Sequence, residues 1–154
     1  MKIAVLGYGT VGSGVVEVLD VNQKLIATRA KEEIEVKYVL DLRNFPGDKI
    51  QEKIVHDYEI ILNDPEIGIV VEVMGGVEPA NTFVRKALEA GKSVCTSNKE
   101  LVAEHGAELI QIAKDHQVNY LFEASVGGGG MHTPMKKLMG DIRRRKRLTR
   151  LQKK

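Results

Sequence analysis

Apolar residues along this 154-residue chain fall into two alternating kinds of run. Five are short and nearly unbroken: KIAVLG (2–7), IEVKYVLD (34–41), GIVVEV (68–73), SVCTS (93–97) and VNYLFEA (118–124). Their length and β-branched content predict strands buried on both faces of a parallel sheet. Between them the spacing changes to threes and fours. Val11, Val15, Val18, Leu19, Asn22 and Ile26 recur at helical intervals after the first strand, with Asn22 the one polar member. Ala80, Phe83, Val84, Ala87 and Leu88 do so after the third, with Pro79 at the predicted helix start and Gly91 at its stop. Leu101, Val102, Leu109, Ile112 and Ala113 give the last helix its apolar face. Residues 44–66 are polar and turn-rich, which predicts a loop with a short helix or two. Strand and helix alternate throughout, the pattern of an α/β domain with a doubly wound parallel sheet.

Composition changes this picture in two places. With 43% hydrophobic and 29% charged residues the chain is ordinary for a soluble domain, and no apolar run is long enough to span a membrane. The N-terminus MKIAVLGYGTVG breaks into glycines too early for a secretory signal. A single cysteine, Cys95, excludes an internal disulfide framework and suits a reducing cytoplasm. Charge, however, divides the chain. Residues 1–130 carry 13 Lys or Arg against 20 Asp or Glu, whereas residues 131–154 carry ten against one. That split predicts a domain over 1–130 and a separate basic tail over 131–154, disordered or helical.

The chemistry begins at GYGTVGSG, where Gly7, Gly9 and Gly12 form a G-x-G-x-x-G between the first strand and the first helix. Gly7 allows the tight turn, Gly9 lets backbone approach a pyrophosphate, and Gly12 lets helix and strand pack closely, as in a Rossmann dinucleotide site. The helix N-terminus then offers unpaired N–H groups to phosphate. At the end of the second strand Asp41 suits a ribose hydroxyl, while Arg43 suits a 2′-phosphate, so local chemistry leaves NAD and NADP both open. His56, His105, His116 and His132 lack ligand-like spacing, and Cys95 reads as a small buried hydrophobe. Lys99 follows a strand's carboxyl end, where α/β proteins place ligand-binding residues, although a lysine in a helix's first turn is also commonplace.

Taken together, GYGTVGSGV (7–15), VVEVMGG (70–76), ALEAGKSVCTSNKELVAEHG (87–106) and LFEASVGGG (121–129) resemble the N-terminal nucleotide-binding domain of homoserine dehydrogenase, over residues 1–130. The resemblance implies NAD(P)-dependent interconversion of homoserine and aspartate 4-semialdehyde in threonine and methionine biosynthesis, in a cytoplasmic oligomer. It implies that Thr10, Val11, Gly75 and Ser97 join the glycines, Asp41 and Arg43 around the cofactor. Arg43 matches the family's 2′-phosphate contact, and Lys99 the lysine near nicotinamide and substrate. It further implies a monovalent cation, Na or K, on backbone carbonyls of Glu123, Val126, Gly128 and Gly130, since glycines let carbonyls converge. Gly130 and Met131 depart from the apolar residue and proline usual there. Past Gly130, RRRKRLTRLQKK has no apolar periodicity and resembles nothing in the family's longer substrate and dimerisation domain. The reading is therefore a truncated or frame-disrupted homoserine dehydrogenase with that domain missing. The alternative is a stand-alone NAD(P)-sensing module, or a non-specific nucleic-acid binder using the tail, which has no interleaved aromatics for base stacking.

Overall fold

A computed structural model describes residues 1–122 of the chain. Six strands form one parallel sheet in the order β3-β2-β1-β4-β5-β6: β1 (Lys2–Leu6), β2 (Glu35–Leu40), β3 (Ile54–Val55), β4 (Ile67–Glu72), β5 (Ser93–Thr96) and β6 (Tyr120–Phe122). The first strand is central, because β1 pairs with β2 on one side and β4 on the other. The chain builds outward from β1 to β3, then crosses back and builds outward from β4 to β6. Between β1 and β4 the direction of winding reverses, which opens a crevice outside their carboxyl ends.

Alternation along the strands divides the interior into two cores. Ala4, Leu6, Leu40 and Val70 face one side with α3 (Tyr58–Leu62), α4 (Ala80–Glu89) and α5 (Lys99–Asp115), where Ile61, Val84, Leu88, Leu101 and Leu109 are fully buried. Ile3, Val5, Ile69 and Val71 face the other, under Val15, Val16 and Leu19 of α1 (Thr10–Val21). In β2 the alternation slips. The pairing of β1 with β2 shifts register between Ile3 and Ala4, so that Val36 and Val39, three residues apart, meet the same core. An extra residue in one strand has this effect. Lys37, skipped in that pairing, reaches Asp64 at 2.5 Å.

The predicted first helix is corrected in two ways. It breaks at Asn22, whose backbone N–H and side-chain amide both donate to Val18 O (3.1 and 3.0 Å), and a separate α2 (Gln23–Ala30) follows. A short amide side chain that competes for the helix's own carbonyl favours such a break. Val11 and Val18 are also 47% exposed rather than on the buried face, which is made by Gly12, Val15, Val16 and Leu19. The turn-rich stretch contains the expected short helices, a 3-10 turn (Lys49–Lys53) and α3, and in addition the two-residue edge strand β3. The strands at 34–41 and 93–97 are each shorter than predicted, that at 118–124 starts at Tyr120, and β4 starts one residue before the predicted 68–73 and stops at Glu72. Pro79 precedes α4, whose first helical residue is Ala80. Glu123, Val126, Gly128 and Gly130, and the basic tail, lie outside the described residues.

Candidate functional site

The crevice is bordered by three segments, each leaving the carboxyl end of a central strand. The first is the glycine loop. Gly7 has φ +101°, a conformation that disfavours any side chain, and its N–H donates to Leu40 O at 2.8 Å. A Cβ on Gly12 would lie 2.0 Å from Gly7 O, so the turn closes only because that side chain is absent. Among the described residues, a Cβ on Gly9 would meet nothing within 4 Å. Gly9 is the N-cap of α1, with no side-chain cap and no acid in the first turn, and Thr10 and Val11 are the exposed first helical residues. The positive end of α1 is therefore left unneutralised by its own residues.

The second segment follows β2 and locks onto the first. Asp41 Oδ2 accepts from Tyr8 N (2.9 Å) and from a terminal guanidinium nitrogen of Arg43 (3.0 Å). Its Oδ1 accepts from Arg43 N (2.9 Å) and Nε (3.0 Å). A carboxylate offers about four acceptor positions, and all are taken. The Arg43 bonds, assisted by Tyr8 N–H, hold the Asp41 carboxyl down at about 2, against the opposing effect of burial. The guanidinium also donates to Tyr8 O (3.3 Å) and lies 5.1 Å from the Phe45 ring centroid, yet 62% of the Arg43 side chain is exposed. His56 stands beneath this loop, with Nδ1 2.7 Å from Asp41 O and Nε2 2.9 Å from Asn44 Oδ1.

The third border pairs the loop after β4 with the turn between β5 and α5. Gly75 is exposed at φ +79°, and Ser97 donates its N–H to Glu72 O at 3.3 Å. Glu72 is fully buried at the end of β4. Its carboxylate accepts from Met74 N (2.8 Å), Thr96 Oγ1 (2.5 Å) and Asn98 Nδ2 (3.5 Å). Asn98 caps α5 by accepting from Leu101 N (3.1 Å), and its amide also donates to Gly76 O (2.5 Å). The next residue is Lys99, exposed in the first turn of α5, with no hydrogen bond or ion pair among the described residues. A cation in a helix's first turn is disfavoured by the helix dipole, so the fold does not need it there.

The sequence-predicted residues thus separate along the sheet: Gly7, Gly9, Thr10, Val11 and Gly12 at β1, Asp41 and Arg43 at β2, Gly75 after β4, and Ser97 and Lys99 after β5. Glu72 and Asn98 went unnoticed in the sequence, and His56 was read only for metal-ligand spacing, which it lacks. A lone acid inside the apolar run GIVVEV was the available signal for Glu72; the others had none, because their partners lie far away in the chain. Cys95 is buried, and burial pushes its thiol up to about 12, as an inert core residue requires. Among the described residues no cluster of His, Cys, Asp or Glu could hold a metal ion, and no helix is long and apolar enough to cross a membrane. A side cleft of about 610 Å³ touches Tyr8 and Ser13, but Glu17, Asp20, Asp48 and Glu52 line it, a poor match for phosphates.

Comparison with known proteins gives this geometry a family. Residues 7–123 match the family model described as homoserine dehydrogenase, NAD binding domain. A homoserine dehydrogenase of Lactococcus lactis is 41% identical over 134 residues, covering 84% of this chain and 31% of that protein. One from Synechocystis is 41% identical over 151 residues, covering 93% of this chain and 34% of that protein. The crystal structure of S. aureus homoserine dehydrogenase at pH 6.0 superposes with a TM-score of 0.75 at 41% identity, over 83% of this chain and 34% of that one. The chain spans about a third of the length of the relatives it matches. Neither a stand-alone sensor nor a nucleic-acid module finds support among these matches. Glycine loop, strand order and matched residues agree: this chain belongs to the homoserine dehydrogenase family and contains its NAD-binding domain.

Proposed function

We propose that residues 1–130 hold a nicotinamide dinucleotide across the carboxyl ends of β1 and β4, in the service of interconverting homoserine and aspartate 4-semialdehyde. The observation that carries this reading is the contrast within the glycine loop. Gly12 is needed for packing, whereas a side chain on Gly9 would meet nothing among the described residues, so its absence leaves room for a visitor. Backbone N–H groups of Thr10, Val11 and Gly12 would hold the pyrophosphate at the uncapped start of α1. Gly75 and Ser97 would border the nicotinamide end.

The 2′ end favours NADP(H). Asp41 has no acceptor position free for a ribose hydroxyl, and Arg43 neutralises it while keeping its second terminal nitrogen out of these bonds, on a side chain 62% exposed, for a phosphate. The bound nicotinamide would supply the hydride-transfer chemistry. Lys99 Nζ would give the substrate oxygen its proton on reduction and accept that proton back on oxidation. Its ammonium and the start of α5 would together stabilise charge on that oxygen. On the sequence resemblance alone, the proposal extends to Na or K on the carbonyls of Glu123, Val126, Gly128 and Gly130, to oligomeric assembly and to a cytoplasmic setting.

Calorimetry on the folded chain tests the reading. NADPH and NADH both bind, NADPH more tightly, and Arg43→Ala weakens NADPH about tenfold more than NADH, as loss of one charge-assisted contact should. No heat with either nucleotide would overturn cofactor binding; equal losses would remove Arg43 from the 2′-phosphate.

A further inference from the structure

We propose that His56 is a positioning residue for the 2′-phosphate end of the site, held as an imidazolium that donates from both ring nitrogens to the loop carrying Arg43. The inference rests on the reading of Arg43 above and follows from a chain of hydrogen bonds whose two ends are backbone groups. At one end Phe45 N–H can only donate, and it meets Gln51 Oε1. That fixes the Gln51 amide, so its Nε2 donates to Asn44 Oδ1 at 3.3 Å. Asn44 is thereby fixed with its oxygen inward, and His56 Nε2, 2.9 Å from that oxygen, must donate to it. At the other end Asp41 C=O can only accept, so His56 Nδ1, 2.7 Å away, must donate as well. A neutral imidazole has one N–H and would leave two acceptors facing each other; the imidazolium satisfies both.

The consequence for the cofactor is direct. His56 grips the residues on either side of Arg43, through Asp41 O and the Asn44 side chain, while Asp41 grips the guanidinium itself. The ring fixes the loop's backbone and adds positive charge beside the anchor for a dianionic phosphate. On the facing loop Asp41 and Arg43 neutralise each other. The 3-10 turn that supplies Gln51 carries Lys49, Glu52 and Lys53. Next to the ring in sequence, Asp57 is occupied in capping α3 through Glu59 N at 3.0 Å.

Nitrogen NMR on the ring-labelled 154-residue chain at neutral pH, paired with nucleotide affinities of His56→Gln and Arg43→Ala, tests the proposal. The expected result is a His56 ring protonated at both nitrogens. With His56→Gln, the ratio of NADPH to NADH affinity should fall several-fold while the exposed substitution leaves the fold intact. A ring with one protonated nitrogen, or an unchanged ratio in His56→Gln, overturns it. If Arg43→Ala also leaves the ratio unchanged, the 2′-phosphate reading itself is lost; if only His56→Gln does, the loss is confined to His56.

Discussion

Gly9 and Gly12 lie three residues apart in one motif, yet one methyl group should have opposite effects at the two positions. On Gly12 it would sit 2.0 Å from Gly7 O, and backbone would have to move, so Gly12→Ala should lose about 1–3 kcal/mol in urea unfolding, as overpacked sites do. On Gly9 it meets nothing and φ is −87°, so Gly9→Ala should unfold within about 1 kcal/mol of wild type while losing most of its NADPH affinity. Comparable destabilisation in both variants would show that Gly9 is a packing residue. Asp41 supplies a pH dependence of known sign. Its carboxyl is lowered from 3.8 to about 2 in the folded chain, so the stability it contributes is fully present above 3.8 and is lost as pH falls toward 2. Wild type should therefore be more stable than Asp41→Asn above pH 3.8, and the gap should close on acidification; a constant gap down to pH 2 would show that the Arg43 pair does not depend on the charge.

At the level of elements, the boundary between β5 and α5 matters most, because Asn98 works in two directions there. Its oxygen caps the helix and its amide ties Gly76 and Glu72. Asn98→Ala removes both and should cost about 0.5–2 kcal/mol for the cap alone, and more if Gly76 O and Glu72 are left short of a donor. Asn98→Asp keeps the cap but sets a carboxylate against buried Glu72, so it should be the less stable of the two if the ties outweigh the cap. Thermal unfolding of both variants decides the order. This knot also marks where the sequence ceased to be readable. The glycine loop and the five main strands were legible because their signals are local, a spacing of glycines or an apolar run. The Glu72–Thr96–Asn98 ties bridge 24 and 26 residues, and nothing near any one of them announces the partner. Asn22 was misread for a related reason: it fits the helical period but carries an amide that competes with the helix backbone.

For the molecule as a whole, the strand order places the glycine loop, Gly75 and Lys99 after the carboxyl ends of three neighbouring strands, β1, β4 and β5. Hydride transfer also needs the aldehyde carbon positioned against the nicotinamide, which contributes several kcal/mol of barrier lowering in a well-oriented site. The relatives devote about two-thirds of their length to sequence this chain does not span. Residues 1–154 expressed alone should therefore bind NADPH yet show no homoserine-dependent reduction of NADP⁺; turnover that disappears in Lys99→Ala would prove the chain self-sufficient. The two-way grip of Asn98 has one more consequence, in the domain's local breathing. The same side chain fastens the lip at Gly76 through its amide nitrogen and the first turn of α5 through its oxygen, which couples the opening of one to the other. Met74 N–H, held by Glu72, and Leu101 N–H, held by Asn98, are expected to open as one cooperative unit. In native-state hydrogen exchange the two amides should exchange with the same opening free energy and shift together in Asn98→Ala, so that the lip at Gly76 and the turn that carries Lys99 take their places as one piece when the chain folds.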